Sequence, residues 1–208
     1  MLFLPRSAAR ERFVTQGEEV LSAVRRSDRA LAEQVCEFES LEFGVAYFSR
    51  TLPASIQTNQ LRDVWLADVS AEIAYDRTEA FYRERGQTCL AWSPASSQSI
   101  EPIEPFLTSK GWRRVDHVAM SLERGEPLDR PASPHVRVLP ARAMPKAFRE
   151  TFGGDESLIE IAVERLNDSH LDPFVAMIDK TPAGRIGHLE VGDVARLAAL
   201  FVVPAMRG

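Results

Sequence analysis

Cysteine, histidine, long apolar runs and net positive charge are all scarce in this chain, and each shortage removes a class of function. Two cysteines, Cys36 and Cys89, and four histidines stand among 208 residues. There is no C-x-x-C pair, and His117, His135 and His170 lack the spaced partners that a metal site or catalytic triad needs. The two thiols read as free and reduced rather than as a disulfide or a nucleophile. No apolar run approaches the ~20 residues that a bilayer-spanning helix requires. The opening Met1-Leu-Phe-Leu-Pro-Arg-Ser lacks the basic and apolar regions of a signal peptide, so no membrane association and a cytoplasmic location are expected. Lys and Arg total 25 against 30 Asp and Glu, a formal charge of −5. A nucleic-acid partner is therefore not expected, because a phosphate backbone demands a basic surface.

What remains is the composition of an ordinary globular protein, 45% hydrophobic and 26% charged. The length suits one large domain or two small ones. The segment Glu123-Arg-Gly-Glu-Pro-Leu-Asp-Arg-Pro-Ala-Ser-Pro-His135 is poor in apolar residues and rich in proline, and it reads as a linker. It divides the chain into a module over 1–123, a linker over 124–135 and a second module over 136–208.

In the first module, Val20, Val24, Leu31, Val35 and Phe38 recur at helical spacing and predict a helix from about Ala8 to Glu39. Strands are expected at Phe43–Ser49, Leu61–Leu66 and Thr88–Trp92. Between the last two, Ser70 predicts an N-cap and Arg85-Gly86 a helix end. Pro102, Pro105 and Gly111 bracket a further helix, and Trp112–Glu123 alternates as a strand. In the second module Val136-Arg-Val-Leu139 predicts a strand. A helix follows over Ala143–Phe152, broken by Gly153-Gly154, and Asp155 caps another that runs to about Leu166. Strands over Phe174–Asp179 and Arg185–Val191, joined by a loop over Lys180–Gly184, lead through a Gly192-Asp193 turn. The last segment, Leu197-Ala-Ala-Leu-Phe-Val-Val-Pro-Ala-Met-Arg-Gly208, reads as a buried strand that runs into a loop.

That order of elements and the ending Val202-x-Pro204-x-x-Arg207-Gly208 resemble the GNAT superfamily of N-acetyltransferases, whose corresponding strand and loop carry V-x-P-x-x-R/Q-x-x-G-x-G/A. Asn59-Gln-Leu-Arg, Tyr82-Arg-Glu-Arg-Gly86, Pro105-Phe-Leu-Thr-Ser-Lys-Gly-Trp112 and His117-Val-Ala-Met-Ser-Leu122 are similar to the first half of tandem members. The resemblance implies an α/β (α+β) fold with a mixed, mostly antiparallel sheet flanked by helices. It also implies transfer of an acetyl or similar acyl group from acetyl-CoA to an amine acceptor. In that family, main-chain groups of the strand hold the pantetheine arm, a role falling on Leu200, Phe201, Val202 and Val203. Loop amides hold the diphosphate, which would begin at Arg207 and Gly208. The glycines that complete the motif do not follow Gly208, so an impaired acyltransferase is expected. The first module, which has no R/Q-x-x-G-x-G/A, is expected to be a degenerate copy that binds no CoA.

Acyl transfer to an amine also needs a base to take its proton. Glu190, late in its strand, is the candidate, with His188 on the same face and Asp155 and Glu156 after the glycine break as weaker ones. Each has a plain alternative, Asp155 as a helix cap and Glu190 as a solvated strand position. The family's usual acid, a later Tyr, has no counterpart, since Tyr47, Tyr75 and Tyr82 all fall in the first module. A non-catalytic interaction or regulatory module is the alternative function. The alternative architecture packs both halves into one sheet, which would cover the edge left at Val194–Val203.

Overall fold

Helix α1 (Arg6–Val35) stops four residues short of Glu39 because the next segment finds a better partner as a strand. Residues Glu37–Leu41 form β1, which pairs antiparallel with β2 (Gly44–Phe48) around a turn at Glu42-Phe43. Phe38, the expected last member of the helical stripe, lies opposite Tyr47 with ring centroids 5.7 Å apart. A cross-strand aromatic pair outweighs the helical periodicity here. The computed structural model describes residues 6–96, 100–116, 133–154, 156–167 and 171–207.

The chain divides into two units, Asp28–Ala119 and Met1–Ser27 with Met120–Gly208. The expected border at 123 falls close to 119, but the first part of α1 groups with the second module rather than the first. Of the expected linker, only 133–135 lie within the described residues. The strands form two separate four-stranded sheets, so the single-sheet alternative is not the one adopted. The class is α/β, with mostly antiparallel sheets and flanking helices, as expected.

In the unit Asp28–Ala119, β3 (Gln60–Val64) pairs antiparallel with β2 and parallel with β4 (Ala91–Pro94). A parallel pair needs a crossover, and α2 (Ala71–Glu84) supplies it. Ser70 accepts from the Ile73 N–H at 3.2 Å, Arg85 is the C-cap, and Gly86 takes a φ of +67°, as the sequence predicts. Strand β4 begins later than Thr88 because its register with β3 starts at Gln60 opposite Ala91. Helix α3 (Glu104–Ser109) ends before Gly111. Residues 112–116 are not a strand, and the rest of the expected Trp112–Glu123 strand lies outside the described residues. Tyr47, Tyr82, Leu61 and Val64 are fully buried. The Tyr82 hydroxyl donates to the Tyr47 carbonyl at 2.7 Å, which satisfies both polar groups and ties α2 to β2.

In the other unit, β5 (Val136–Pro140), α4 (Pro145–Glu150) and α5 (Glu156–Glu164) precede three long strands, β6 (Leu171–Ile178), β7 (Thr181–Val191) and β8 (Val194–Val202). The sheet runs β5-β6-β7-β8, antiparallel throughout. Phe148 and Phe152, four residues apart, meet edge to face at 5.2 Å, while Asp155 lies outside the described residues. The expected loop Lys180–Gly184 is shorter than predicted, since Ile178 pairs with Thr181 and the turn is only Asp179-Lys180. Asp179 takes a φ of +55°, a left-handed conformation that Asp tolerates. Pro182 fits inside β7 because the register shifts there, and a bulge spares it a ladder hydrogen bond.

Strand β8 is not the buried strand its composition predicts. It is the end strand of its sheet, and Leu197 and Leu200 are 70% and 74% exposed while Ala198 is buried. A bulge sets the three-residue step Ala198–Phe201 against the two-residue step Gly187–Arg185. Close approach at that bulge requires glycine on β7, because a Cβ at position 184 would overlap the Phe201 carbonyl oxygen. Among the described residues no helix is long and apolar enough to cross a membrane. Gly184→Ala should cost about 1–3 kcal/mol of stability through overpacking against backbone. A urea midpoint equal to that of the parent protein would contradict this account of the β7–β8 contact.

Candidate functional site

The C-terminal end of β8 brings together most of the residues singled out for donor binding. Val203 donates its N–H to the Ala183 carbonyl at 2.9 Å, so its groups face β7. Alternate residues of an antiparallel strand face opposite edges. Val202 therefore directs its N–H and C=O away from β7, towards the end edge of the sheet. The Val202 carbonyl accepts from Arg207 Nε at 2.9 Å, because a 3₁₀ turn over Pro204–Met206 brings the chain back upon the strand. The Arg207 guanidinium also lies 5.1 Å from the Phe201 ring centroid. Gly208 lies outside the described residues.

A further residue joins this cluster that the sequence did not single out. Arg185 of β7 is the cross-strand partner of Phe201, and its guanidinium carbon stands 4.3 Å from that ring and 3.9 Å from the ring of Phe152. Its Nη1 donates to the Thr151 carbonyl at 2.6 Å, just beyond α4. Partial burial pushes the Arg185 pKa down, and no carboxylate pairs with it among the described residues. An arginine inside a strand signals only a half-buried position in sequence. Its sandwich between two rings depends on the β8 register and on the end of α4.

Glu190 sits on β7 opposite Ala195 near the Gly192 turn, exposed and without a hydrogen bond or ion pair among the described residues. His188 is half-buried opposite Leu197. Five residues of strand separate Glu190 from Arg185, or about 16 Å at roughly 3.3 Å per residue. The fold thus places Glu190 and His188 beside the N-terminal half of β8, and Arg185 and Arg207 beside its C-terminal half.

The unit Asp28–Ala119 offers a different environment at the end of its parallel pair. There an anion would meet the N-terminus of α2, the usual place for one in a parallel α/β unit. The Ser70 hydroxyl already occupies the Ile73 amide, Glu72 stands in the first turn, and Asp68 precedes it. Two carboxylates at that end disfavour an anionic ligand. Asp63 of β3 takes a φ of +53° and is held by Arg29, whose Nη2 lies 2.6 Å from Asp63 Oδ2. That hydrogen bond and the Asp63 charge raise the Arg29 pKa.

Cys89 is buried, and desolvation pushes its thiol up to about 12. Burial likewise raises the Tyr82 phenol far above its ordinary range. Cys36 is half-buried, and neither thiol is in a disulfide. Among the described residues no group of three or more His, Cys, Asp or Glu side chains could hold a metal ion.

No protein-family model matches the sequence, and no curated protein matches it. Among solved structures the chain is similar to a functionally unknown conserved protein from Staphylococcus epidermidis ATCC 12228. The TM-score is 0.45 and the identity 10%, over 83% of this chain and 73% of that one.

Cys89 yields a prediction with a definite sign. Its folded pKa lies above the ordinary 9.0, so the unfolded thiol ionises first as the pH rises. The contribution of Cys89 to stability is thus fully present below pH 9 and is lost between about pH 9 and pH 12. An aromatic disulfide reagent at pH 8 should modify Cys36 in the folded protein and reach Cys89 only on unfolding. Rapid release of two equivalents from the folded parent protein, and of one from Cys36→Ser, would refute the assignment.

Proposed function

We propose that this chain carries a GNAT-like acyl-donor site and serves acyl transfer from acetyl-CoA to an amine, with the donor arm laid along the end edge of β8. The observation that carries this reading is the outward main chain of β8, directed to an edge that no further strand of its sheet covers. An extended pantetheine arm carries amide groups, and a strand edge is a template for them. The exposed side chains of Leu200 and Val202 would flank the arm, and Arg207 lies at the end where its diphosphate would reach. An arm held so runs back towards Val194, the half of β8 beside which Glu190 and His188 stand. Glu190 is then the base proposed to deprotonate the acceptor amine. The other unit is proposed to bind no donor, because its helix terminus is filled by Ser70 and flanked by Asp68 and Glu72.

One contact favours the non-catalytic alternative. Arg207 already donates to the Val202 carbonyl, and an arm amide could pair there only if that side chain moved. Donor titration separates the two readings. Acetyl-CoA added to the ¹⁵N-labelled protein should shift the amide signals of Leu200 and Val202 and leave those of Ser70–Ile73 in place. No shift along β8 at millimolar donor would leave a fold without this activity.

Where transfer is measurable as thiol release, Glu190→Gln should slow it by roughly 10²-fold or more at neutral pH and remove the alkaline rise of its rate profile. An unchanged profile would return Glu190 to the role of a solvated strand residue.

A further inference from the structure

Arg185 has more hydrogen-bonding capacity than its surroundings use. Of its donors, Nη1 is committed to the Thr151 carbonyl, and the rings of Phe152 and Phe201 pack against the guanidinium with centroids 3.9 and 4.3 Å from its central carbon. Nε and Nη2 find no acceptor among the described residues, and neither is among the sealed polar atoms that lack a partner. Among the described residues neither atom is therefore sealed. A guanidinium packed against two rings keeps its N–H edge as the approach for a ligand, the geometry of a two-point pair with an oxyanion. Its partly desolvated position strengthens such a pair relative to one on an open surface.

The direction of approach distinguishes this position from the donor edge. Arg185 belongs to β7, one strand in from the end of the sheet, and its side chain lies on the face that α4 covers through Thr151 and Phe152. Gly153 and Gly154, which follow, are exposed, adopt φ values of +67° and +91° and contribute no side chain to the rim. A ligand reaching Nε and Nη2 comes over the sheet face past the end of α4, whereas a donor arm would lie along the edge of β8. Phe201 serves both, with its main chain in the donor strand and its ring against Arg185.

We infer that the Nε–Nη2 edge of Arg185 binds a carboxylate and that the acceptor is accordingly an amine that also carries a carboxylate group, as an amino acid does. The assignment of this carboxylate to an acceptor rests on the acyl-transfer reading above; the binding of the anion does not.

The test follows the side-chain Nε–H signal of Arg185 in the full-length ¹⁵N-labelled protein, identified by its loss in Arg185→Lys. Acetate and glycine should shift that signal saturably at constant ionic strength, while glycinamide, which keeps the amine and lacks the carboxylate, should not. The exposed Arg50 should show no saturable shift with any of the four probes. Inorganic phosphate is the fourth, and tighter binding of phosphate than of acetate would give the position to a phosphate-bearing ligand and overturn the carboxylate assignment. Absence of a saturable shift with acetate would overturn the site altogether. Arg185→Lys keeps the charge and loses the planar fork. It should weaken glycine binding, followed through Phe152 and Phe201 ring signals, by about tenfold or more, the loss of one charge-assisted hydrogen bond. Thiol release that is equally fast with carboxylate-free amines would sink the acceptor assignment alone. Glycine binding in a protein that never binds acetyl-CoA would sink the acyl-transfer reading alone.

Discussion

Everything proposed for the C-terminal unit depends on how tightly β8 is pressed against β7. Glycine at 184 lets the Phe201 carbonyl come where a Cβ would otherwise be, whereas a Cβ at 187 would meet the Ala198 carbonyl at an ordinary contact distance of 3.4 Å. Between these two glycines stands Arg185, opposite Phe201. The close approach and the bulge together fix the Phe201 ring over the guanidinium, while Val202 keeps its main chain turned to the edge. A looser β8 would lose the ring sandwich and the defined direction of the edge together.

The other unit is organised by a different constraint, the burial of polar groups that must each find a partner. Tyr82 donates to the Tyr47 carbonyl, and Thr78 donates to the Ala74 carbonyl within α2. Asn59 accepts from the Ser49 amide and donates to the Leu52 carbonyl, closing the loop between β2 and β3. These contacts hold a parallel β3–α2–β4 crossover whose helix terminus is already capped by its own serine. The two units thus spend similar sheets differently. One pairs Tyr82, Thr78 and Asn59 internally while the Gln87 amide and Arg62 Nε stay buried without a hydrogen bond, and the other leaves the outer edge of β8 without a further strand.

The elements legible in the sequence are those set by local chemistry. Ser70, Gly86, Gly111 and Gly192 mark helix ends and a turn because capping and positive φ depend on the residue itself and its neighbours. The elements misread are those decided by distant partners. Phe38 continues a helical stripe in sequence and leaves it for Tyr47. Leu197 and Leu200 have the composition of a core strand and lie exposed because β8 ends its sheet. Of the candidate site, Leu200 to Val203 and Arg207 could be singled out by their order along the chain and do lie together. Arg185 could not, since only the bulged register of β8 and the position of α4 bring two rings against it.

The separation of Glu190 from Arg185 along β7 gives the proposed chemistry a direction. A base must stand by the amine, and an anchor must stand by whatever distinguishes that amine from others. About 16 Å of strand lies between the two residues, at roughly 3.3 Å per residue. Both residues cannot contact a molecule as small as glycine at once. His188 and Glu190 stand three and five residues along β7 from Arg185, odd steps that put their side chains on the opposite face of the sheet, so neither is a base for a small amino acid held at Arg185. An acceptor that used Glu190 would have to pass around the end edge of β8 as well as along the strand. The length and path of the acceptor and the identity of the base are therefore a single question, set by the spacing and the alternation of residues on β7.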